Sequence, residues 1–211
     1  MAHAMAVRLR LALGATLATA VVGLFIQRRR RRRAEAVRFN FGEASSRDGL
    51  AHGALRPGKQ ANALEAPGAV GDAEVREWVE FVRARGVRRV LSLLGDDEIA
   101  WYASDLDAAM RRDFSRYDRT SVFAPGARDV ALAAFDAARE AGEPIVMHCS
   151  GGQGRAGIAL SLWLVHCHGL TPEDAVAEVV AVAGAQGTER KPSVEKLKLL
   201  LAEGQLPRKK K

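Results

Sequence analysis

The sequence predicts an α/β fold in which helices flank a mostly parallel central sheet. Two stretches rich in apolar and branched residues, VRRVLSLL at residues 87–94 and PIVMHC at residues 144–149, have the composition of buried strands. A helical pattern precedes each of them, and an apolar helix follows the second. Because crossover helices cover both faces of a parallel sheet, this alternation indicates one sheet between two helical layers. The length of 211 residues suits one domain with a sizeable core.

The first half of this body predicts one clear helix and one buried strand. Residues 39–71 are rich in Gly, Ala and Pro, so we expect short strands and loops there. Helical spacing of apolar residues begins after Asp72, a suitable N-cap, and Gly86 can end this helix in the left-handed conformation. The strand at 87–94 is followed by a less regular stretch over residues 95–124.

The second half predicts four helices with clear start and stop signals. One covers residues 127–141, and an apolar helix that follows the second strand stops at Gly169. Thr171 caps the next helix, with Pro172 at its first position. Ser193 opens the last helix, which has leucines on its apolar side. Together with the strands, these helices complete the alternating pattern.

The net charge of +7 resides at the two ends of the chain. Residues 1–38 contain nine basic residues and one acid, and the tail RKKK at 208–211 is entirely basic. Residues 39–207 are left with 19 basic and 24 acidic residues. A nucleic-acid-binding domain carries its basic patch on the folded body, so we expect no nucleic-acid partner.

The N-terminal segment combines an apolar run with an arginine block. Residues 11–26 carry no charge, and six arginines follow at 28–33. We interpret residues 1–38 as a membrane anchor whose arginines keep the body in the cytosol, by the positive-inside rule. An organellar transit peptide is the main alternative, and a secretory signal is the third. The predicted organisation is therefore this segment, a domain over 39–207 and the basic tail 208–211.

The stretch HCSGGQGRAG at residues 148–157 joins the second predicted strand to the next helix. Gly151, Gly152 and Gly154 allow successive backbone N–H groups to converge at the helix N-terminus, where they can bind an oxyanion. Arg155 can hold two oxygens of a phosphate at the same point. These positive groups favour the thiolate of Cys149, which would face the bound phosphorus as a nucleophile. The loop is therefore predicted to support phosphoryl transfer to sulfur.

The order His148-Cys149, five residues and Arg155 resembles the signature loop of the cysteine-dependent protein tyrosine phosphatase superfamily, dual-specificity branch. The resemblance implies a dual-specificity phosphatase-like domain over 39–207 that forms a cysteinyl-phosphate intermediate without a metal or cofactor. It implies Cys149 as nucleophile, Arg155 as ligand of the transferring group, and a phosphorylated protein as the substrate. We expect a monomer. The implied phosphate-binding residues are Ser150, Gly151, Gly152, Gln153, Gly154 and Arg155.

Two further positions bear on catalysis, the general acid and the residue that follows Arg155. The resemblance implies an aspartate on a movable loop about thirty residues before the cysteine as general acid, and Asp118 is the candidate. Ala156 stands where the family usually carries Ser or Thr, whose hydroxyl eases the departure of sulfur. One alternative is therefore a slow or inactive phosphate-binding pseudophosphatase tethered to a membrane. The other is a phosphoinositide phosphatase, although residues 150–154 lack the lysines usual in lipid-directed members.

Overall fold

The structure, a computed structural model, describes residues 27–207 apart from 28, 29 and 32. The chain divides into two compact units, residues 1–36 and 37–211. In the first unit the described residues are helical, and Arg31 and Glu35 form an ion pair at 3.3 Å. Within the described residues, no helix has the length and apolar character needed to cross a membrane. The predicted anchor at 11–26 and the basic tail lie outside the described residues.

The second unit contains a five-stranded sheet with the order β1-β2-β5-β3-β4. Strand β1 is antiparallel to β2, and the other neighbouring pairs are parallel, which confirms the predicted α/β class. Strand β5 lies at the centre, so Cys149 stands at the carboxyl end of the central strand. The strands are β1 Gly42–Glu43, β2 Ala51–Leu55, β3 Arg89–Ser92, β4 Arg116–Arg119 and β5 Ile145–Cys149.

The described helices of this unit are α1 Asp72–Arg83, α2 Asp96–Ile99, α3 Leu106–Asp113, α4 Ala127–Ala141, α5 Gly154–His168, α6 Pro172–Gln186 and α7 Val194–Glu203, with a short 3₁₀ turn at Lys59–Ala61. Helix α4 has the predicted bounds, and Gly142 ends it with a φ of 61°. The side chains of Thr171 and Ser193 accept backbone N–H bonds at the starts of α6 and α7, as predicted. Helix α1 differs slightly, because Gly71 is the N-cap and Asp72 is the first helical residue.

The stretch 95–124 is more regular than the sequence predicts, since it contains α2, α3 and β4. Asp105 accepts a hydrogen bond from the backbone N–H of Ala108 and so caps α3. Strand β4 reads RYDR and is half-buried at an edge of the sheet, where its charged side chains hide the apolar pattern of a strand. The sheet context, rather than the local pattern, makes this segment a strand.

The sheet separates two apolar clusters, and the alternation of side chains along β5 contributes to both. Met147 and Cys149 belong to the cluster that contains Phe135 of α4. Val146 belongs to the cluster on the other face, with Trp78 of α1. The thiol of Cys149 therefore rests on a packed core at the carboxyl end of β5, a strand that is buried along its whole length.

Candidate active site

In the loop that follows β5, the carbonyl groups of the first two residues accept hydrogen bonds from neighbouring segments of the protein. The carbonyl of Ser150 accepts a hydrogen bond from the backbone N–H of Arg56 at 3.1 Å. The carbonyl of Gly151 accepts one from the side-chain amide of Asn40 at 3.0 Å. In the described part of the chain, no protein acceptor pairs with the backbone N–H groups of residues 150–153. These N–H groups are free to donate to a ligand, which is what an oxyanion-binding turn requires.

Gly152 is the residue that gives this turn its shape. It has a φ of 71°, and a Cβ atom placed on it would lie 2.6 Å from the carbonyl carbon of Ala54 and 2.7 Å from the backbone nitrogen of Leu55. Backbone atoms of β2 cannot move aside as a flexible side chain could, so a side chain at this position would displace the loop from the sheet.

Arg155 lies in the first turn of α5, and its guanidinium has fixed partners. Its Nη1 donates to the carbonyl of Leu93 at 2.8 Å and to Glu98 at 2.5 Å, and its Nη2 donates to Glu98 at 2.6 Å. Burial lowers the pKa of Arg155, but the hydrogen bond to Glu98 and the nearby Cys149 raise it, with a net rise. The arginine is therefore charged and held beside the thiol.

Glu98, the partner of Arg155, was not predicted as a site residue from the sequence. Its carboxylate is nearly buried at the start of α2, just beyond the carboxyl end of β3. Because β3 neighbours β5 in the sheet, this end of β3 reaches the same edge as Arg155. The three acids at residues 96–98, directly after a predicted strand, were the available signal.

His148 is a packed residue and not a proton carrier. It is completely buried, and its ring meets Trp78 edge to face with centroids 5.3 Å apart. Burial, with the charges of Arg155 and Arg56, lowers the pKa of His148 to about 3. Neither ring nitrogen has a hydrogen-bond partner among the described residues, so its contribution is packing under the loop.

A cavity of about 300 Å³ opens above the thiol. Cys149 is 3% exposed at its floor, with Arg155 beside it. One part of the wall is apolar and another carries two lysines. The lining residues are Phe123, Cys149, Gly151, Gln153, Gly154, Arg155, Ile158, Lys191, Lys196 and Leu206. The structure thus brings together the predicted nucleophile, the predicted arginine and most of the predicted loop.

Asp118, the predicted general acid, does not line this cavity. It lies on β4 rather than on a loop, and Arg116 donates to both of its carboxylate oxygens, at 2.7 and 3.1 Å. Strand β3 stands between β4 and β5, which places Asp118 two strand spacings, about 10 Å, to the side of β5. The expectation of a loop position is wrong, and the catalytic role stays a prediction without support from the geometry.

The loop after β4 carries no substitute acid. Residues 120–126 contain no Asp or Glu, although Phe123 of this loop lines the cavity. Glu65 approaches from the opposite side and accepts a hydrogen bond from Ser150 Oγ at 3.0 Å. That bond, together with the Lys59 ammonium, holds the pKa of the Glu65 carboxyl below its usual range. Glu65 is paired with Ser150 and Lys59 and is not among the residues that line the cavity.

Ala156 is fully buried in the first turn of α5. It belongs to the same apolar cluster as Cys149 and supplies no hydroxyl to a thiolate. The alanine that stands in place of the usual Ser or Thr thus lies at the start of α5, directly after the loop of residues 149–155.

The family model described as "Swiss Army Knife protein, DSP-PTPase phosphatase domain" matches residues 71–199, more than half of the chain. The chain belongs to this family of dual-specificity-type phosphatase domains, and it is a cysteine-dependent phosphatase. No curated protein matches it significantly.

Three solved structures show the same fold at low identity. Tk-PTP in its active form is 22% identical, covers 78% of this chain and 95% of its own, and has a TM-score of 0.51. PTPMT1 in complex with PI(5)P is 14% identical, with coverages of 78% and 98% and a TM-score of 0.52. Kinase-associated phosphatase with serine at its catalytic cysteine is 13% identical, with coverages of 77% and 90% and a TM-score of 0.55.

Proposed function

We propose that this protein is a protein tyrosine phosphatase of the dual-specificity type. The observation that carries the proposal is one cavity with Cys149 and Arg155 at its floor and Phe123, Ile158 and Leu206 in its wall. The aromatic ring of a phosphotyrosine can pack on this apolar wall, whereas a hydroxylated inositol ring would lose hydrogen bonds to water there. The cavity therefore favours a phosphorylated protein over a phosphoinositide as substrate.

The proposed reaction has two steps. The free N–H groups of the loop and Arg155 hold the phosphate oxygens, and Sγ of Cys149 attacks phosphorus. The S–P bond forms as the P–O bond to the substrate breaks, and the leaving oxygen either takes a proton or departs as a phenolate. Water then attacks phosphorus, the S–P bond breaks, and inorganic phosphate and the thiolate are released.

Slow turnover is the second candidate, and two observations favour it. Ala156 has no hydroxyl to assist the departure of sulfur, and residues 120–126 offer no carboxylate to protonate a leaving group or activate water. In this version the protein captures phosphate on Cys149 and releases it slowly, as a phosphate-binding module.

Membrane tethering belongs to the same proposal. Its support is the uncharged run at residues 11–26 followed by the arginines at 28–33, which by the positive-inside rule would leave the catalytic domain in the cytosol. An organellar location after cleavage is the alternative. Carbonate extraction of membranes from cells that express the full chain would separate an integral anchor from a cleaved peptide.

The proposed function is tested by rapid-mix kinetics of the full chain with an aryl phosphate, with Cys149→Ser as control. Steady product release that the control lacks establishes a working phosphatase. A burst of one equivalent followed by near-silence identifies a stalled phosphoenzyme. No release from either protein would reject the enzymatic proposal.

A further inference from the structure

Two lysines lie in the wall of the cavity, remote in sequence from the phosphate-binding loop. Lys191 precedes α7, and Lys196 lies in its first turn; both line the cavity with Cys149. The lining contains three cations, these lysines and Arg155, and no carboxylate within the described part of the chain. One phosphate is already matched by Arg155 and the loop N–H groups, so the lysines add positive charge beyond what the scissile phosphate needs.

Lys196 has no structural partner that explains its position. Among the described residues, no acceptor pairs with its ammonium group, and its side chain is exposed. It stands three residues after the N-cap Ser193, where a cation is unfavourable because the helix dipole is positive at that end. Lys191 pairs with Glu189 at 2.6 Å, but both side chains are more than half exposed, so this pair is weak.

We propose that Lys191 and Lys196 form a second anion-binding subsite, which recognises an acidic or phosphorylated residue beside the phosphotyrosine of a peptide substrate. This inference rests on the proposed function and adds the substrate class. The same cavity is also lined by Phe123, Ile158 and Leu206, so it offers an apolar surface to an aromatic ring as well as cations to a neighbouring anionic group. A peptide supplies both the ring and the neighbouring anion on one chain.

The chain offers a matched control on the same helix. Lys198 lies two residues after Lys196 and is similarly exposed, but it pairs with Glu173 at 2.5 Å and does not line the cavity. Replacing either lysine with Gln removes one positive charge from α7. A difference between the two variants therefore reports position and not net charge.

Binding is measured with the full chain carrying Cys149→Ser, so that turnover plays no part. Two phosphotyrosine peptides are compared, one with flanking Glu residues and one with Gln in their place. We expect the Glu peptide to bind roughly three- to tenfold more tightly. With Lys196→Gln added, the ratio of the two affinities should fall towards one, whereas with Lys198→Gln it should persist. Raising the salt concentration should reduce this ratio. Lys191→Gln should reduce it less, because Glu189 already engages that lysine.

Equal affinity for the two peptides, in a chain whose cysteine form still shows a burst or turnover with aryl phosphate, would overturn the subsite alone. No binding of either peptide together with no aryl phosphate reaction would overturn the phosphatase proposal as well. A parallel arm uses inositol mono- and bisphosphate. A Lys196-dependent preference for the bisphosphate, without one for the Glu peptide, would overturn the assignment to peptides.

Discussion

The phosphate-binding loop, residues 149–155, and the segment 118–126 both belong to the carboxyl edge of the sheet, but they differ in what they offer to a reaction. The loop has free N–H donors, a glycine that no other residue can replace, and Arg155 held by Glu98. The segment has one acid, Asp118, which is bound to Arg116, and no carboxylate in the part that lines the cavity. The loop presents the donors and the cation that phosphate capture requires, whereas the described residues that line the cavity include no carboxylate for proton delivery.

This difference shows that the two halves of the reaction can be separated. Capture and attack depend on backbone groups that a strand–loop–helix junction orients by itself. Proton delivery depends on a single side chain carried by a loop, and here that loop is tied to the C-terminal segment by a bond from Leu206 N–H to the carbonyl of Val122 at 2.7 Å. If the two functions are separable, capture of phosphate on Cys149 should survive without conventional acid catalysis.

The largest effect is expected for a substitution of Arg155 in the phosphate-binding loop. Arg155→Lys keeps the charge but loses the planar fork and its double contact with Glu98, so phosphorylation of Cys149 should slow by about 10³-fold. Single-turnover kinetics with an aryl phosphate measure this step directly. A rate within tenfold of the unchanged protein would remove Arg155 from the transition state.

Because the described residues that line the cavity include no carboxylate, the phosphorylation rate of Cys149 should depend strongly on the leaving group. 4-Nitrophenyl phosphate can depart as a phenolate, whereas phenyl phosphate needs a proton, so the phosphorylation rate should differ by about 10²-fold between them. Equal rates would mean that a general acid operates after all, and that the comparison between the two regions is wrong.

Glu98→Gln should weaken capture less than Arg155→Lys, because the guanidinium remains present but loses one charged partner. We expect about a tenfold rise in the inhibition constant of inorganic phosphate, with the fold unchanged by circular dichroism. Asp97→Asn is the matched control on the same helix. An equal effect of both variants would point to general surface charge rather than to the positioning of Arg155.

Ala156→Ser tests the second step. The restored hydroxyl should donate to the departing thiolate and raise the rate of phosphoenzyme hydrolysis severalfold, roughly three- to tenfold. The burst amplitude should stay the same while the steady rate rises. An unchanged steady rate would show that another step limits turnover.

Asp118→Asn should have the smallest effect, because its carboxylate is committed to Arg116 away from the cavity. We expect turnover to fall less than threefold, with any loss traced to stability through the melting temperature. A fall of about 10²-fold at unchanged stability is the range of acid–base contributions and would restore Asp118 as the general acid.

Much of the fold was predictable, and the failures have a common origin. Helix α4 and the caps of α6 and α7 follow from local signals, since the residues that start and stop a helix lie within a few positions of it. Strand β4 was missed because its four residues are charged or half-buried, and only pairing with β3 makes them a strand. Local chemistry cannot report a partner that lies elsewhere in the chain.

The sequence by itself determined the reactive centre, since Cys149, the turn and Arg155 are contiguous and one strand–loop–helix junction orients them all. It also determined that position 156 is an alanine and so carries no hydroxyl beside the thiol. The tertiary structure alone decided that Glu98 holds Arg155 and that Lys196 reaches the cavity. Those contacts join residues brought together by strand order and helix packing, which no short stretch of sequence specifies.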